Sequence, residues 1–216
     1  MNRELDDSQM AFIVEDDAAI CAGLCDLFES VNIKAQHFSS AEDFFERWDQ
    51  TLSGCLVLDV RLPGMSGMEM HAKLVDSGIP LPVVIMTGHG DMPMVRKALK
   101  AGAVEFLIKP FQDQELLDAI EQAFALNLAR RNTDLLLSSI QDRAGTLTER
   151  ERQVMELVTA GLTNREIAEK LFLSVVTIKL HRGQVMRKMQ AESLADLVKM
   201  SDKIKVPNTF GNARPK

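Results

Sequence analysis

The chain has 216 residues, 26% of them charged, and a net charge of −6, enough for one domain of ordinary size and a small one. The charge is uneven: residues 146–216 hold 13 Lys and Arg against 8 Asp and Glu, net +5, so the first 145 residues carry −11, and a basic module joined to an acidic one fits a DNA reader held by a regulator that does not itself attract DNA. No apolar run approaches the roughly 20 residues of a membrane span, and the N-terminal stretch MNRELDDSQM lacks a signal-peptide pattern, which predicts a cytoplasmic protein without membrane contact.

In chain order, a tail at 1–9 is followed by five short, mostly apolar segments that read as strands: MAFIV at 10–14, IKAQHF at 33–38, CLVLD at 55–59, PVVIM at 82–86 and VEFLI at 104–108. Stretches of helical spacing separate them. Apolar strands alternating with helices imply a parallel sheet covered on both faces, and five such units in about 120 residues suit a flavodoxin-like α/β fold. The three cysteines, Cys21, Cys25 and Cys55, are odd in number and sit in apolar periodic segments. Buried thiols are therefore expected rather than a disulfide, and with no nearby His or third Cys the pair Cys21 and Cys25 does not suggest a metal site.

In a parallel sheet of this kind the active edge is the one at the carboxyl ends of the strands. Glu15, Asp16 and Asp17 follow the first strand, Asp59 ends the third, Thr87 and Gly88 follow the fourth, and Lys109-Pro110 follows the fifth. Each alone is an ordinary surface or turn residue; the signal is that all share one edge. Clustered carboxylates are costly without a neutralising cation, and an all-oxygen set suits Mg2+. A lysine and a hydroxyl opposite that metal suit a phosphoryl group. Asp17 is expected to cap the following helix, and Pro63, Gly64 and Gly67 read as turn residues.

From Leu116 through Ile140 apolar residues recur at helical spacing with no Pro or Gly until Gly145, which predicts a long helix over the linker span 128–145 rather than a flexible tether. Beyond it, capping chemistry marks three helices and a possible fourth. Thr148 with Glu151 and Thr163 with Glu166 form two capping boxes, Gly161 offers a left-handed exit, and Ser174 and Ser193 are further N-caps. Ile167, Ala168 and Leu171 share a face with helical spacing, as do Ile178, Val185 and Met189, so these two helices are expected to pack together. Lys179, Leu180, Arg182 and Gly183 then face outward on the third, a cationic face suited to the major groove. The domain is expected over 146–205, with a polar tail at 206–216.

Residues 10–127 resemble the receiver domain of two-component response regulators, and the stretch from LTERE through GLTNREIA to the S-x-x-T-I-K-x-H-R and M-R-K-M runs resembles the LuxR-type DNA-binding domain. Together the chain looks like a FixJ/NarL-type response regulator: an α/β receiver with a flavodoxin-like five-stranded parallel sheet, then a small all-α, four-helix helix-turn-helix domain. The resemblance implies that Asp59 is the phosphoacceptor, and that Glu15 and Asp16 hold Mg2+ with Asp59 and the backbone carbonyl of Arg61. It further implies that Thr87 bonds a phosphoryl oxygen, that Gly88 lets backbone approach the phosphoryl, that Lys109 pairs with another oxygen, and that Phe106 is an aromatic switch. Many members have Asp where Glu15 stands, with the charge retained. The Lys109-Pro110 bond is a candidate for the cis form.

The implied DNA-contacting set is Lys179, Leu180, His181, Arg182, Gly183 and Lys188, with Lys179, Leu180 and Gly183 at the base-contacting positions. Gly183 departs from members with a long side chain there, and costs about 1 kcal/mol relative to Ala in a helix. The implied partners are a sensor histidine kinase, double-stranded promoter DNA, a second copy once phosphorylated, and RNA polymerase. The dimer surface is expected on the fourth helix and fifth strand, on the strength of GHGDMPM and KAGAVEF, with Met92, Met94, Val95 and Leu99 divided between that surface and the core. The chain is not expected to be an enzyme beyond assisting its own phosphorylation and dephosphorylation. An aspartyl-phosphate phosphatase requires a second Asp two residues after the first, where Arg61 stands. A DNA-binding regulator that works without phosphate is the remaining alternative.

Overall fold

The computed structural model describes residues 9–49, 52–88 and 92–205. The tails at 1–8 and 206–216, and His89, Gly90 and Asp91 of the GHGDMPM run, lie outside the described residues. Among those described there are five strands and nine helices: β1 (Met10–Val14), α1 (Ala18–Ser30), β2 (Lys34–Phe38), α2 (Ala41–Arg47), β3 (Gly54–Asp59), α3 (Gly67–Asp76), β4 (Val83–Thr87), α4 (Met92–Lys100), β5 (Glu105–Ile108), α5 (Asp113–Gly145), α6 (Glu149–Thr159), α7 (Asn164–Leu171), α8 (Val175–Met189) and α9 (Leu194–Lys205). The expected strands are all present, with boundaries shifted by a residue at most.

The sheet is wholly parallel in the order β2-β1-β3-β4-β5. Strand residues alternate between its faces, and both are buried. Phe12, Val14, Leu56, Leu58, Val83, Ile85 and Phe106 point to a core shared with Phe44, Met70, Leu74 and Ala98. Ala11, Ile13, Cys55, Val57, Val84, Met86 and Leu107 point to the other, shared with Leu24, Phe28, Leu116, Ile120 and Phe124. Each fully buried side chain of this size contributes about 1.5–3 kcal/mol of hydrophobic stabilisation, which is why continuous apolar runs form strands here rather than solvated loops. Under the first face Phe38 and Phe44 meet edge to face with centroids 5.1 Å apart, and Phe44 stacks on Trp48 at 5.5 Å.

Helix starts follow their caps. Asp17 accepts from the N–H groups of Ala19 and Ile20 at 2.8 and 3.1 Å, Ser40 caps α2, and Ser66 with Glu69 forms a capping box on α3. The chain divides into two compact units between Arg130 and Arg131, inside α5 and inside the span expected as a linker. The last turns of that span are not bare spacer. Ile140 is buried with Leu147, Val154, Val158 and Val185, and the Arg143 guanidinium donates to the Met189 carbonyl at 3.3 Å.

In the second unit both expected capping boxes form, Thr148 with Glu151 and Thr163 with Glu166, and Ser174 and Ser193 cap α8 and α9. Gly161 has φ +89° just beyond α6, the left-handed exit its sequence position implied. The core joins Ile167 and Ala168 of α7 to Ile178, Val185 and Met189 of α8 and to Leu197 of α9. Leu171 packs against it at the margin. At the end of α7 the chain turns through Phe172, left-handed at φ 55° and ψ 44°.

Candidate functional site

Parallel pairing sets the first site. Val14 stands opposite Leu58, Leu58 opposite Ile85, and Ile85 opposite Phe106, so the carboxyl ends of β1, β3, β4 and β5, where Glu15, Asp59, Thr87 and Lys109 stand, lie along one edge. Glu15 and Asp59 are 2% and 4% exposed. The Lys109 ammonium donates to Glu15 Oε2 at 2.6 Å and to Asp59 Oδ1 at 2.7 Å. Asp59 Oδ2 accepts the backbone N–H of Arg61, and Glu15 Oε1 accepts that of Asp17 at 3.3 Å. The backbone of Glu15 is held in turn from β2, whose His37 Nε2 donates to the Glu15 carbonyl at 2.8 Å.

Burial alone pushes the Lys109 ammonium down, but its hydrogen bonds and charge contacts with Asp59 and Glu15 outweigh that, and it is held above its ordinary range. It is therefore a fixed cation at neutral pH. Two buried carboxylates against one ammonium leave an excess negative charge, with the exposed Asp16 beside them. Among the described residues no three His, Cys, Asp or Glu side chains converge tightly enough to hold an ion by themselves. A carboxylate pair completed by backbone oxygen and water is a donor set that fits Mg2+, which keeps several of its waters.

Thr87 ends β4 fully buried, and its carbonyl accepts the Lys109 N–H at 2.7 Å. Gly88, next in the chain, is exposed. Phe106 lies in the core that Met94 and Val95 also pack against, whereas Met92 and Leu99 are exposed. The Lys109-Pro110 bond is cis. Gly67 requires a correction to its reading as a turn residue. It opens α3, its N–H donates to the Val60 carbonyl at 3.0 Å, and a Cβ built on it would lie 2.0 Å from the Asp59 backbone oxygen. Only glycine permits that approach. Its place eight residues after Asp59 was visible in the sequence; the closeness of the two backbones was not.

The second site is the outer face of α8. Lys179, Leu180 and Gly183 are exposed on it, and Leu180 keeps 63% of its surface. His181 is half-buried. Arg182, expected to face outward, is half-buried and donates to Asn164 Oδ1 of α7 at 3.1 Å. Lys188 is engaged inside the unit: its ammonium donates to Glu151 Oε2 at 2.6 Å and to the Thr146 carbonyl at 3.0 Å. The Lys188 contact, with added bonds from Thr148 that outweigh the burial penalty, holds the Glu151 carboxyl below its ordinary range. The exposed face also carries residues outside the expected set: Val176, 77% exposed, and Arg187.

Comparison with known proteins follows the same division. Residues 11–121 match the model for the response regulator receiver domain, and residues 145–201 match that for bacterial regulatory proteins of the luxR family. The chain is 44% identical over 193 residues to nodulation protein W of Bradyrhizobium diazoefficiens, covering 89% of this chain and 85% of that protein. It is 40% identical over 190 residues to the transcriptional regulatory protein FixJ of the same organism, covering 88% and 93%. The solved structure of the response regulator StyR superposes with a TM-score of 0.82 at 42% identity, covering 91% of this chain and 99% of that one.

Proposed function

The chain belongs to the two-component response regulators that join a receiver domain to a LuxR-type DNA-binding domain, and from that premise we propose that it regulates transcription under control of phosphorylation at Asp59 by a sensor histidine kinase. The observation that carries the reading is the Lys109 ammonium shared between Asp59 and Glu15 at 2.7 and 2.6 Å. A fixed cation touching the nucleophile is already where an incoming phosphoryl group develops charge.

In the transfer, an Asp59 carboxylate oxygen attacks phosphorus in line as the P–N bond of the kinase phosphohistidine breaks, and the electron pair leaves with the imidazole. Lys109 passes from the carboxylates to a phosphoryl oxygen, Thr87 donates its hydroxyl to another, and Gly88 leaves room for backbone to approach. Glu15, Asp16, Asp59 and the Arg61 carbonyl would hold Mg2+, which when bound would neutralise further charge on the phosphoryl group. When Thr87 turns toward the phosphoryl group, Phe106 enters the space beside it and remodels the α4 and β5 face, a two-state switch with a local trigger. The exposed Met92 and Leu99 support that face as the surface of a phosphorylation-dependent homodimer.

Two copies then bind paired half-sites in promoter DNA, a helical turn or a multiple apart, and recruit RNA polymerase to activate transcription. The test incubates wild type and Asp59→Asn with Mg2+ and a small acyl-phosphate donor, then follows phosphate uptake, mass by sedimentation and binding to DNA. Uptake, dimerisation and tighter binding in the wild type alone are expected. Equal binding and equal mass in both proteins, with no uptake, would favour a regulator that works without phosphate.

A further inference from the structure

The outer face of α8 is a stripe of mixed character. At about 100° per residue, Val176, Leu180, Gly183 and Arg187 fall within roughly 60° of one another, and Lys179 lies beside them. All five are exposed. The two large apolar members keep 77% and 63% of their surface, although the core of this unit is closed by Ile178, Val185 and Met189 on the opposite face. At Gly183 a Cβ would meet nothing within 4 Å, so the domain itself gives no reason for a glycine in mid-helix, and bare backbone is open to close approach from outside.

Apolar side chains flanked by Lys179 and Arg187 do not suit a second copy of the same helix, because the like charges would oppose each other. They suit a polyanion that also presents apolar groups. In the major groove that group is the thymine C5-methyl, the one apolar feature of a base edge. Resting on the DNA-binding reading above, we propose that Val176, outside the base-contacting positions the family implies, extends the reading surface beside Leu180 by packing on a thymine methyl group, with Arg187 as a further cation. Val176, on the first turn of α8, is a specificity-determining residue in its own right.

The experiment selects duplexes from a randomised pool with the full-length chain, Mg2+ and the acyl-phosphate donor present, then remakes the enriched duplex with each dT in turn replaced by dU, which removes only the methyl. At one or more positions in each half-site, wild type should lose about fourfold in affinity, the equivalent of one buried methyl group. Val176→Ala should bind the dT and dU forms equally at its own position, and Lys179→Ala should weaken both forms alike. Val176 is exposed, so its truncation does not threaten the fold. Indifference of the wild type to every dU, or a dU penalty unchanged at every position in Val176→Ala, would overturn the proposal while leaving DNA binding intact. Failure to enrich any duplex would overturn the DNA-binding reading and this one with it.

Discussion

Two glycines, one beside each site, separate the halves of this molecule. A Cβ on Gly67 would sit 2.0 Å from the Asp59 backbone oxygen, whereas on Gly183 it would meet nothing within 4 Å. The receiver site centres on buried Glu15, Asp59 and Thr87 and half-buried Lys109, at the ends of β1, β3, β4 and β5, each held by the register of a sheet packed on both faces. The reading face is one exposed side of one helix, resting on a core it does not share. Substitution in the first site therefore strains the fold and disturbs the chemistry together; in the second, stability and recognition can be separated.

The sharpest way to test that contrast is Gly67→Ala. Forcing a methyl against backbone is overpacking, and about 3 kcal/mol of stability should be lost, read as a shift in denaturant midpoint of the full chain. Phosphate uptake from an acyl-phosphate donor should fall with it, because the clash is relieved only by parting α3 from the Asp59 backbone, which displaces Asp59 from its register. Unchanged stability and uptake would mean that the two backbones are not in contact in solution.

Next in size is a site that breaks the contrast, since the second unit has a buried charge of its own. In Lys188→Met the Glu151 carboxylate, its side chain 7% exposed, loses its ammonium. The cost should be about 2 kcal/mol, less than for a fully enclosed pair because Lys188 keeps 30% of its side-chain surface. The Glu151 carboxyl is held below its ordinary value, so the stabilisation is full above the unfolded-state value of about 4.3 and is lost as pH falls through the lower folded one. The gap between wild type and variant should narrow from pH 7 toward pH 3. A gap that stays constant would assign the cost to lost side-chain packing instead.

What could be read beforehand follows the same physics. Strands buried on both faces must be continuous apolar runs, so β1, β3 and β4 were legible directly, while the edge strands β2 and β5, which carry Gln36 and Glu105, were legible from their place between helical stretches; parallel pairing then places Glu15, Asp59, Thr87 and Lys109 on one edge. Helix starts were legible because a cap is a local bond between residues two or three apart. Contacts between distant residues were not: the pairing of Lys188 with Glu151 spans 37 residues and that of Arg182 with Asn164 spans 18, whereas helical spacing had placed Arg182, and the family resemblance Lys188, on the DNA face. The approach of Gly67 to Asp59 depends on backbone packing, which residue type does not reveal.

On the exposed side, the strain at Phe172 can be removed without touching either site. Its side chain is 94% exposed and its φ is +55°, so it carries the cost of a left-handed residue with little burial in return. Phe172→Gly should raise the thermal stability of the second unit by about 1 kcal/mol. A loss would show that the ring is covered in solution.

The smallest effect is the most discriminating. Gly183→Ala should stabilise the second unit by about 0.8 kcal/mol, the difference in helix propensity, because the new methyl meets no protein atom within 4 Å. If duplex DNA approaches the helix backbone there, the same variant should bind DNA more weakly while unfolding later, an opposition that no change in domain integrity can produce. Unfolding in denaturant and titration with a selected duplex, on one preparation, measure both. Higher stability with unchanged affinity would place the closest approach nearer to Val176 and Leu180, at the start of α8. Gly67→Ala, which should lower stability and uptake together, is the control for what a buried site does under the same change of one methyl group.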